Sequence, residues 1–315
     1  MDALLFPGQG SQRIGMGRDV YEVSAKAREV FERADQAIGF PLRELCFDGD
    51  EETLRATANQ QPAILTTTIA MLEALRERLD LAPKFLVGHS LGEYSALVAA
   101  GALDLEDAVR LVRARGQFMQ EAAADGVGAM AAILGCTAQK VEQVCEIVTD
   151  SGKGLVQPAN YNAPSQTVVA GNSDAVKLAC EEALRVGAKK AMTLAVSAPF
   201  HCLLMEPAAE RLEKLLVEIP WRTPRVPVIS NVTAEPYGTP EEIAPLLKSQ
   251  VTKPVRFTQS VEFLVSAGAR GVLEIGPGEV LSALIPRINR RMVRRSINNL
   301  ETLESACDFI KSKEN

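Results

Sequence analysis

Short apolar runs alternate with amphipathic stretches along the first 125 residues of the chain. Residues 3–6 and 85–87 are apolar runs typical of short buried strands, and Pro83 and Gly88 flank the second of them. Apolar positions recur with a helical period near residues 20–38, 61–79 and 92–101. This alternation of strands and helices predicts an α/β fold built on a parallel sheet.

The order of the predicted elements changes between residues 126 and 197. In this segment the pattern predicts strand, helix, strand, strand, helix and strand, over residues 129–134, 138–149, 155–161, 166–170, 174–186 and 191–196. The βαββαβ order is that of a ferredoxin-like unit. Gly126 and Gly128 stand at its start and Pro199 lies just beyond its end. We therefore expect residues 126–197 to form a subdomain inserted into a larger domain of residues 1–125 and 198–315.

In the last part of the chain, predicted strands and helices alternate again, as they do in the first part. Helices are predicted over about residues 203–216 and 260–267, and strands over 226–230 and 272–275. The second of these strands runs into Gly276-Pro277-Gly278. We expect these elements to complete the parallel sheet.

Composition and charge narrow the classes of function. The chain has 315 residues, 47% hydrophobic and 23% charged, which is ordinary for a globular protein. Its formal net charge of -6 and its lack of a basic tract interleaved with aromatic residues argue against nucleic-acid binding. The N-terminus lacks the regions of a signal peptide, and no apolar run approaches the roughly 20 residues of a membrane-spanning helix. We therefore expect a cytoplasmic protein that does not bind a membrane.

The cysteines indicate neither a metal site nor a disulfide framework. They form no C-x-x-C pair, and only Cys202 has a neighbouring histidine. We expect reduced and mostly buried thiols, no metal and no cofactor. The six cysteines are Cys46, Cys136, Cys145, Cys180, Cys202 and Cys307.

The segment Gly88-His89-Ser90-Leu91-Gly92 carries the most specific chemistry. It follows a predicted strand and opens a predicted helix, the context in which G-x-S-x-G forms a nucleophile elbow. Glycines on both sides let the serine occupy a tight, strained turn without a collision. The helix N-terminus then offers N–H groups and a positive dipole end to a developing oxyanion. Ser90 is therefore the predicted nucleophile.

The candidate base for this serine is a histidine, because a hydroxyl is a weak nucleophile without an adjacent base. The chain contains two histidines. His89 lies inside the elbow, where its side chain should point away from Ser90, which leaves His201, in a loop at the predicted domain boundary. No aspartate between Ser90 and His201 is an obvious third member of a triad, and a backbone carbonyl can orient an imidazole instead.

The second oxyanion donor should come from the loop that follows the first strand, residues 6–12. This segment reads Phe-Pro-Gly-Gln-Gly-Ser-Gln, and its two glycines allow the backbone to approach a ligand closely. A phosphate-binding loop is the alternative interpretation. The segment lacks both the G-x-G-x-x-G ending and the Lys-Ser/Thr of a P-loop, which argues against that alternative.

Further segments extend these motifs in order over nearly the whole chain: residues 6–12, 61–63, 88–93, 115–120, 160–162, 199–201, 230–232, Gln250 and 274–278. Together they resemble the malonyl-CoA:acyl carrier protein transacylases and the related acyltransferase domains of fatty-acid and polyketide synthases. The resemblance implies a hydrolase-like α/β core with an inserted ferredoxin-like subdomain. It also implies ping-pong transfer of malonyl from coenzyme A to the phosphopantetheine thiol of acyl carrier protein, through an ester on Ser90, to supply chain elongation.

The resemblance assigns roles to particular residues of this chain. Ser90 is the residue acylated, His201 is its base, and Gln250 holds that histidine through its backbone carbonyl. The resemblance also implies an oxyanion hole formed at Gln9 and Leu91. The residues that it implies for substrate binding are Arg115, Gln250, Asn160, Asn162 and Phe200.

Arg115 and Phe200 suggest the choice of acyl group. A guanidinium stays charged, and its planar fork matches the free carboxylate of a malonyl group. The alternative for Arg115 is a solvated helix face, since Arg110 and Arg113 lie beside it. By resemblance, Phe200 fills the space that an α-methyl group would need, a discrimination of about 1 to 3 kcal/mol.

Two other functions are compatible with the same residues. A thioesterase or esterase would use the same elbow but admit water to the acyl-enzyme. A non-catalytic module that binds acyl-CoA or carrier protein would be expected to have lost Ser90 or His201, and both are present. An arginine near the acyl group and a histidine without a carboxylate partner favour transfer.

The carrier proteins of the resembled family are acidic, so a net-negative enzyme must offer them a local basic surface. We call the candidate surface the basic patch. The alternative is a solvated helix face paired with nearby acids. The basic patch consists of Arg287, Arg290, Arg291, Arg294 and Arg295, with Lys189 and Lys190 from the inserted subdomain.

Overall fold

The computed structural model describes residues 1–122, 128–196 and 198–314. Its strands are β1 (Ala3–Phe6), β2 (Phe85–Gly88), β3 (Gly128–Leu134), β4 (Val156–Ala163), β5 (Gln166–Asn172), β6 (Lys190–Thr193), β7 (Val228–Ile229), β8 (Gly271–Ile275) and β9 (Val293–Ile297). Its α-helices are α1 (Arg18–Val23), α2 (Ala25–Ile38), α3 (Leu42–Asp48), α4 (Glu51–Arg55), α5 (Thr57–Arg76), α6 (Gly92–Ala99), α7 (Leu105–Glu121), α8 (Ala138–Asp150), α9 (Ser173–Arg185), α10 (Glu206–Leu216), α11 (Ile243–Thr252), α12 (Phe257–Ser266), α13 (Val280–Ile288) and α14 (Leu300–Glu314).

A five-stranded parallel sheet forms the centre of the larger unit, in the order β7-β2-β1-β8-β9. Strand β1 lies between β2 and β8, so the loops that follow β1 and β2 meet at the carboxyl edge of the sheet. Ligand sites of open α/β sheets lie at such an edge. The predicted α/β class with a parallel sheet is confirmed.

Both faces of the parallel sheet are buried, as parallel sheets require. Leu4 and Phe6 face a large apolar core shared with α2, α5, α7 and α10. Ala3 and Leu5 face a smaller core shared with α12 and α13. Helix α5 runs through the larger core, and both faces of its middle section are buried, which accounts for its apolar residues all round the helix.

The second sheet is antiparallel, with strand order β4-β5-β3-β6. Helices α8 and α9 pack on it over a separate core that includes Ile133, Val144 and Val176. This order and the βαββαβ sequence of elements are those of the predicted ferredoxin-like subdomain. The predicted boundaries at residues 126 and 197 lie outside the described residues, so the limits 126–197 stay a prediction.

Several elements differ from the sequence-based expectation for local reasons. The helix predicted over 20–38 divides into α1 and α2 at Ser24, whose hydroxyl accepts the Ala27 N–H at 3.0 Å and caps the second helix. The strand predicted over 226–230 is only Val228–Ile229. Strand β9 was not predicted, because its Val-Arg-Arg-Ser-Ile sequence has no apolar run.

In the described part of the chain, none of the helices combines the length and apolar character of a membrane span.

Candidate active site

The turn between β2 and α6 has the sterics of a nucleophile elbow. Ser90 has φ 53°, in the left-handed region that costs a non-glycine residue energy. A Cβ at Gly88 would lie 1.9 Å from the carbonyl carbon of Gly92, and a Cβ at Gly92 would lie 2.0 Å from the oxygen of Phe6. The predicted requirement for glycine on both sides of the serine is therefore confirmed.

The loop after β1 approaches the elbow closely enough to share a site with it. A Cβ at Gly8 would lie 2.5 Å from the carbonyl oxygen of His89, so only glycine fits there without a shift. The next residue, Gln9, lines the same cavity as Ser90. Its side chain is held by Gln60 at 2.6 Å and Gln61 at 3.3 Å. The two loops named for the oxyanion hole thus meet at one cavity.

Asn231 holds the elbow in place, and sequence reasoning gave it no role. Its Oδ1 accepts the N–H of Ser90 at 2.6 Å, and its Nδ2 donates to the oxygen of Gly88 at 2.7 Å. The Ser90 N–H is therefore engaged. This leaves the N–H of Leu91, at the start of α6, as the elbow group suited to receive an oxyanion.

His201 lies within hydrogen-bond distance of the nucleophile. Its Nε2 is 2.7 Å from Ser90 Oγ, and its Nδ1 is 2.7 Å from the backbone oxygen of Gln250. A carbonyl oxygen only accepts, so Nδ1 carries the proton and the Nε2 lone pair faces the serine hydroxyl. The arrangement is that of a serine with its general base, in which a carbonyl replaces the usual carboxylate.

Burial keeps this imidazole neutral. It lowers the pKa of His201 to about 3, and the positive charge of Arg115 acts in the same direction. Burial also lowers the pKa of the other histidine, His89. In both cases the low-dielectric surroundings disfavour the charged form. A neutral His201 is the form that can accept the proton of Ser90.

We expect the imidazole of His201 to stay neutral between about pH 7 and pH 5, because its pKa is lowered to about 3. NMR of ¹⁵N-labelled protein should show this directly, since the chain has only two histidines. The His201→Asn variant assigns the signals. The protonated nitrogen of His201 should be Nδ1. A His201 that titrates near its ordinary value of 6.5 would contradict the buried, neutral base.

His89 bonds elsewhere than to the nucleophile, as predicted. Its Nε2 is 2.8 Å from Asn162 Oδ1, and its ring lies 5.7 Å from that of Phe257. Asn162 belongs to β4, so this contact ties the inserted subdomain to the elbow. Asn160, two residues earlier, is 7% exposed and lines the cavity.

Arg115 is fully buried beside the nucleophile. Its Nη2 lies 3.2 Å from Ser90 Oγ and donates to Gln250 Oε1 at 2.9 Å, and its Nη1 donates to Gln61 Oε1 at 2.8 Å. Arg110, on the same helix, is exposed and paired with Asp107. The interpretation of Arg115 as part of a solvated helix face is therefore wrong. Burial lowers its pKa, but a guanidinium stays protonated in proteins.

The signal that could have revealed this burial is Gly116. A Cβ there would lie 2.4 Å from the backbone oxygen of Thr57 in α5. A glycine inside a helix often marks such a close approach of two backbones. Helix α7 therefore packs closely on α5 here, and Arg115, next to this glycine, is buried as well.

The cavity at the elbow has a volume of about 450 Å³ and is lined by both units of the fold. Its lining includes Ser90, His201 and Phe200, together with apolar side chains of the inserted subdomain and of α13. A cavity of this size is typical of small-molecule sites. The apolar lining includes Met130, Val168, Leu194, Leu281 and Leu284.

The cysteines take no part in this site. All six are free, as predicted, and only Cys180 is not fully buried. Burial raises the pKa of Cys202 to about 11, so its thiol stays protonated near neutral pH and is a poor nucleophile. Within the described ranges, no three His, Cys, Asp or Glu side chains group as metal ligands.

Comparison with known proteins adds independent information. The acyl transferase domain family matches residues 3–311. The chain is 49% identical to the malonyl CoA-acyl carrier protein transacylase of Bacillus subtilis (strain 168) over 311 residues, 99% of this chain and 98% of that protein. The crystal structure of the malonyl CoA-acyl carrier protein transacylase of Clostridium perfringens matches with TM-score 0.95 and 41% identity, covering 99% of this chain and 98% of that one. A malonyl-transacylase solved in complex with its type II PKS acyl-carrier protein matches with TM-score 0.94 and 40% identity, covering 98% and 99%.

Proposed function

The chain belongs to the acyl transferase family, and we propose that within it this enzyme moves malonyl from coenzyme A to the phosphopantetheine thiol of acyl carrier protein. The resemblance drawn from the motifs is confirmed by the family match over residues 3–311 and by relatives named for this activity. The enzyme is thus an acyltransferase, an acyl carrier protein S-malonyltransferase. We propose that it supplies the chain elongation of fatty-acid or polyketide synthesis.

In the first half-reaction, Ser90 Oγ attacks the thioester carbonyl of malonyl-CoA while His201 Nε2 takes the hydroxyl proton. The N–H groups of Gln9 and Leu91 stabilise the tetrahedral oxyanion. The carbon–sulfur bond breaks, and the coenzyme A sulfur leaves with the proton from His201. The malonyl group remains as an ester on Ser90.

The second half-reaction reverses these steps with a different thiol. The carrier-protein thiol gives its proton to His201 and attacks the ester carbonyl. Ser90 Oγ leaves and recovers the proton from the imidazole, so the enzyme returns to its starting state. The proposed cycle uses only side chains and backbone N–H groups, and we propose that it needs no cofactor.

The observation that carries this proposal is the position of Arg115. A fully buried guanidinium 3.2 Å from the nucleophile places a positive charge where the acyl group of the ester must lie. An acyl group with its own carboxylate can pair with that charge bidentately, whereas an acetyl group cannot. Phe200 is 7% exposed, precedes the base in the chain and lines the cavity, and we propose that it excludes an α-methyl group. We propose Asn160 and Asn162 as further substrate contacts, since both line the cavity.

Initial rates with malonyl-CoA and holo-acyl carrier protein test the function. Double-reciprocal plots at several carrier concentrations should be parallel, and malonyl-carrier protein should form in step with free coenzyme A. Free malonate as the main product would identify a hydrolase instead. Intersecting lines would contradict a covalent intermediate.

The basic patch supports the proposed docking of the carrier protein. All seven of its residues are exposed. They do not share one helix face, because Arg287 lies in α13, Arg290 and Arg291 in the following turn, and the last two arginines in β9. Arg287 follows the cavity residue Leu284 by one turn. Arg290 and Arg291 lie near the far end of α13, about 13 Å from its start, a distance that a thiol on a flexible arm can bridge.

Charge reversal of Arg290 and Arg291 to glutamate should raise the KM for carrier protein by roughly 10-fold and weaken its dependence on salt. The half-reaction with malonyl-CoA should stay unchanged, because neither residue lines the cavity. The matched control is charge reversal of Lys26 in α2 and Lys214 in α10. These two helices pack on the face of the parallel sheet opposite to α13. An unchanged KM in the arginine variant would move the docking surface to Lys189 and Lys190.

We propose a cytoplasmic location for the enzyme. The six free thiols support it, since a reducing compartment keeps such cysteines unpaired. Detection of the tagged protein in fractionated cells tests this location, and recovery outside the cytoplasmic fraction would contradict it.

A further inference from the structure

Glu93 is a buried carboxylate three residues after the nucleophile, and the steps above do not use it. It is 0% exposed, and its N–H donates to the oxygen of Ser90 at 3.0 Å. Its carboxylate accepts hydrogen bonds from Tyr237 Oη, from the N–H of Asn231 at 3.2 Å and from Gln250 Nε2 at 2.6 Å. A buried carboxylate costs stability unless it is paired, so its surroundings indicate what it compensates.

Gln250 connects this carboxylate to the catalytic groups. Its Nε2 donates to Glu93 Oε2 and, at 2.9 Å, to the oxygen of Ser90. Its Oε1 accepts from Arg115 Nη2 at 2.9 Å, and its backbone oxygen accepts from His201. A carboxylate only accepts and a guanidinium only donates, so the two charges fix which end of the amide faces which. Gln250 is thus a neutral spacer between an anion and a cation.

The terminal nitrogens of Arg115 bond only to neutral oxygens. Its three hydrogen bonds go to Gln61 Oε1, Ser90 Oγ and Gln250 Oε1. Within the described residues, no carboxylate lies within ion-pair distance of this guanidinium. The negative charge of Glu93 still acts on it electrostatically, from one amide further away. Arg115 is therefore compensated in charge but has no direct ionic partner.

We infer that Glu93 is a positioning residue for malonyl recognition. Through Gln250 it orients Arg115 and compensates its charge, and because no carboxylate contacts the guanidinium directly, the substrate carboxylate can bind there. A carboxylate in direct contact with Arg115 would have to be displaced by malonyl. A neutral amide oxygen is displaced with a much smaller loss of electrostatic energy. The inference rests on the proposed function, because it names what prepares the malonyl-binding arginine.

The ionisation state of Glu93 sets the conditions of the test. Burial raises its pKa to about 7, against hydrogen bonds from Tyr237, Gln250 and Asn231 and the charge of Arg115. Measurements at about pH 8 therefore examine the ionised carboxylate. His201 is neutral at that pH.

The test compares kcat/KM for malonyl-CoA with that for acetyl-CoA in the first half-reaction. Glu93→Gln keeps the size of the side chain and removes its charge. It should lower the malonyl-to-acetyl ratio by about 30-fold, mainly through a higher KM for malonyl-CoA. Tyr237→Phe is the matched control, since it removes a donor from the same carboxylate but leaves the link to Arg115 intact. Its ratio should stay within about threefold of the original.

An exchange of the two side chains, Glu93→Gln with Gln250→Glu, tests the spacing itself. The number of buried charges is unchanged, but the carboxylate now contacts Arg115 directly and competes with malonyl. The ratio should fall at least as far as in Glu93→Gln. This double variant retains an amide and a carboxylate, so it carries the test if the single variant does not fold.

The outcomes separate this inference from the proposed function. If the unaltered enzyme transfers malonyl but Glu93→Gln loses malonyl and acetyl activity equally, Glu93 is only structural and the inference is wrong. The inference also fails if the exchanged variant keeps the original ratio. If the unaltered enzyme does not transfer malonyl to carrier protein, the proposed function itself fails.

Discussion

Replacement of His201 with asparagine should lower kcat/KM for malonyl transfer by about 10³- to 10⁴-fold. The imidazole lies 2.7 Å from Ser90 Oγ, and the other imidazole, of His89, is bonded to Asn162. An asparagine amide cannot take the serine proton at neutral pH. Asparagine also tolerates the positive φ of this position, 61°, better than alanine does. The loss therefore reports the missing base rather than backbone strain.

The control for this prediction is a comparison of malonyl-CoA with acetyl-CoA as the acyl donor. The base acts on the hydroxyl of Ser90 and on the thiol, which are the same for malonyl and acetyl donors, so both activities should fall by similar factors. Release of free coenzyme A in the first half-reaction measures both. A loss of less than about 10-fold would mean that another group activates the serine.

Replacement of Arg115 with alanine should reverse the acyl preference. The malonyl carboxylate loses a desolvated, charge-assisted contact of about 2 to 5 kcal/mol, so kcat/KM for malonyl-CoA should fall by about 30- to 5,000-fold. Transfer of acetyl should survive or improve, because that group has no carboxylate to pair. The effect should appear in the ratio of the two specificity constants.

Arg110→Ala is the matched control for the arginine, since it lies on the same helix but is exposed and paired with Asp107. Surface substitutions of this kind change little, and both activities should be retained. Equal losses of malonyl and acetyl transfer in Arg115→Ala would show that the buried guanidinium only supports the fold around Gln61 and Gln250.

The sequence predicted the local part of the site well. The strand before the elbow, the turn and the helix after it are adjacent in the chain, and glycine at 88 and 92 has a steric reason within the same few residues. The ferredoxin-like order of elements could also be predicted from the sequence, because its strands and helices are short, regular and separated by turns.

The long-range polar network was not predictable in the same way. Glu93 meets Gln250 across 157 residues and Asn231 across 138. Nothing in the local pattern shows that these side chains meet, and a glutamate early in a helix is typically solvated. The burial of Arg115 also depends on how α7 packs on α5. Strand β9 was missed because pairing with β8 stabilises it, although two of its residues are exposed arginines.

The proposed ping-pong transfer requires that malonyl rests as an ester on Ser90. Intact-protein mass spectrometry after brief incubation with malonyl-CoA tests it most directly, followed by peptide mapping and addition of holo-acyl carrier protein. We expect a gain of one malonyl group on the peptide that contains Ser90, and its loss to the carrier protein. Stoichiometric malonyl uptake by Ser90→Ala, or malonyl on another residue, would contradict it.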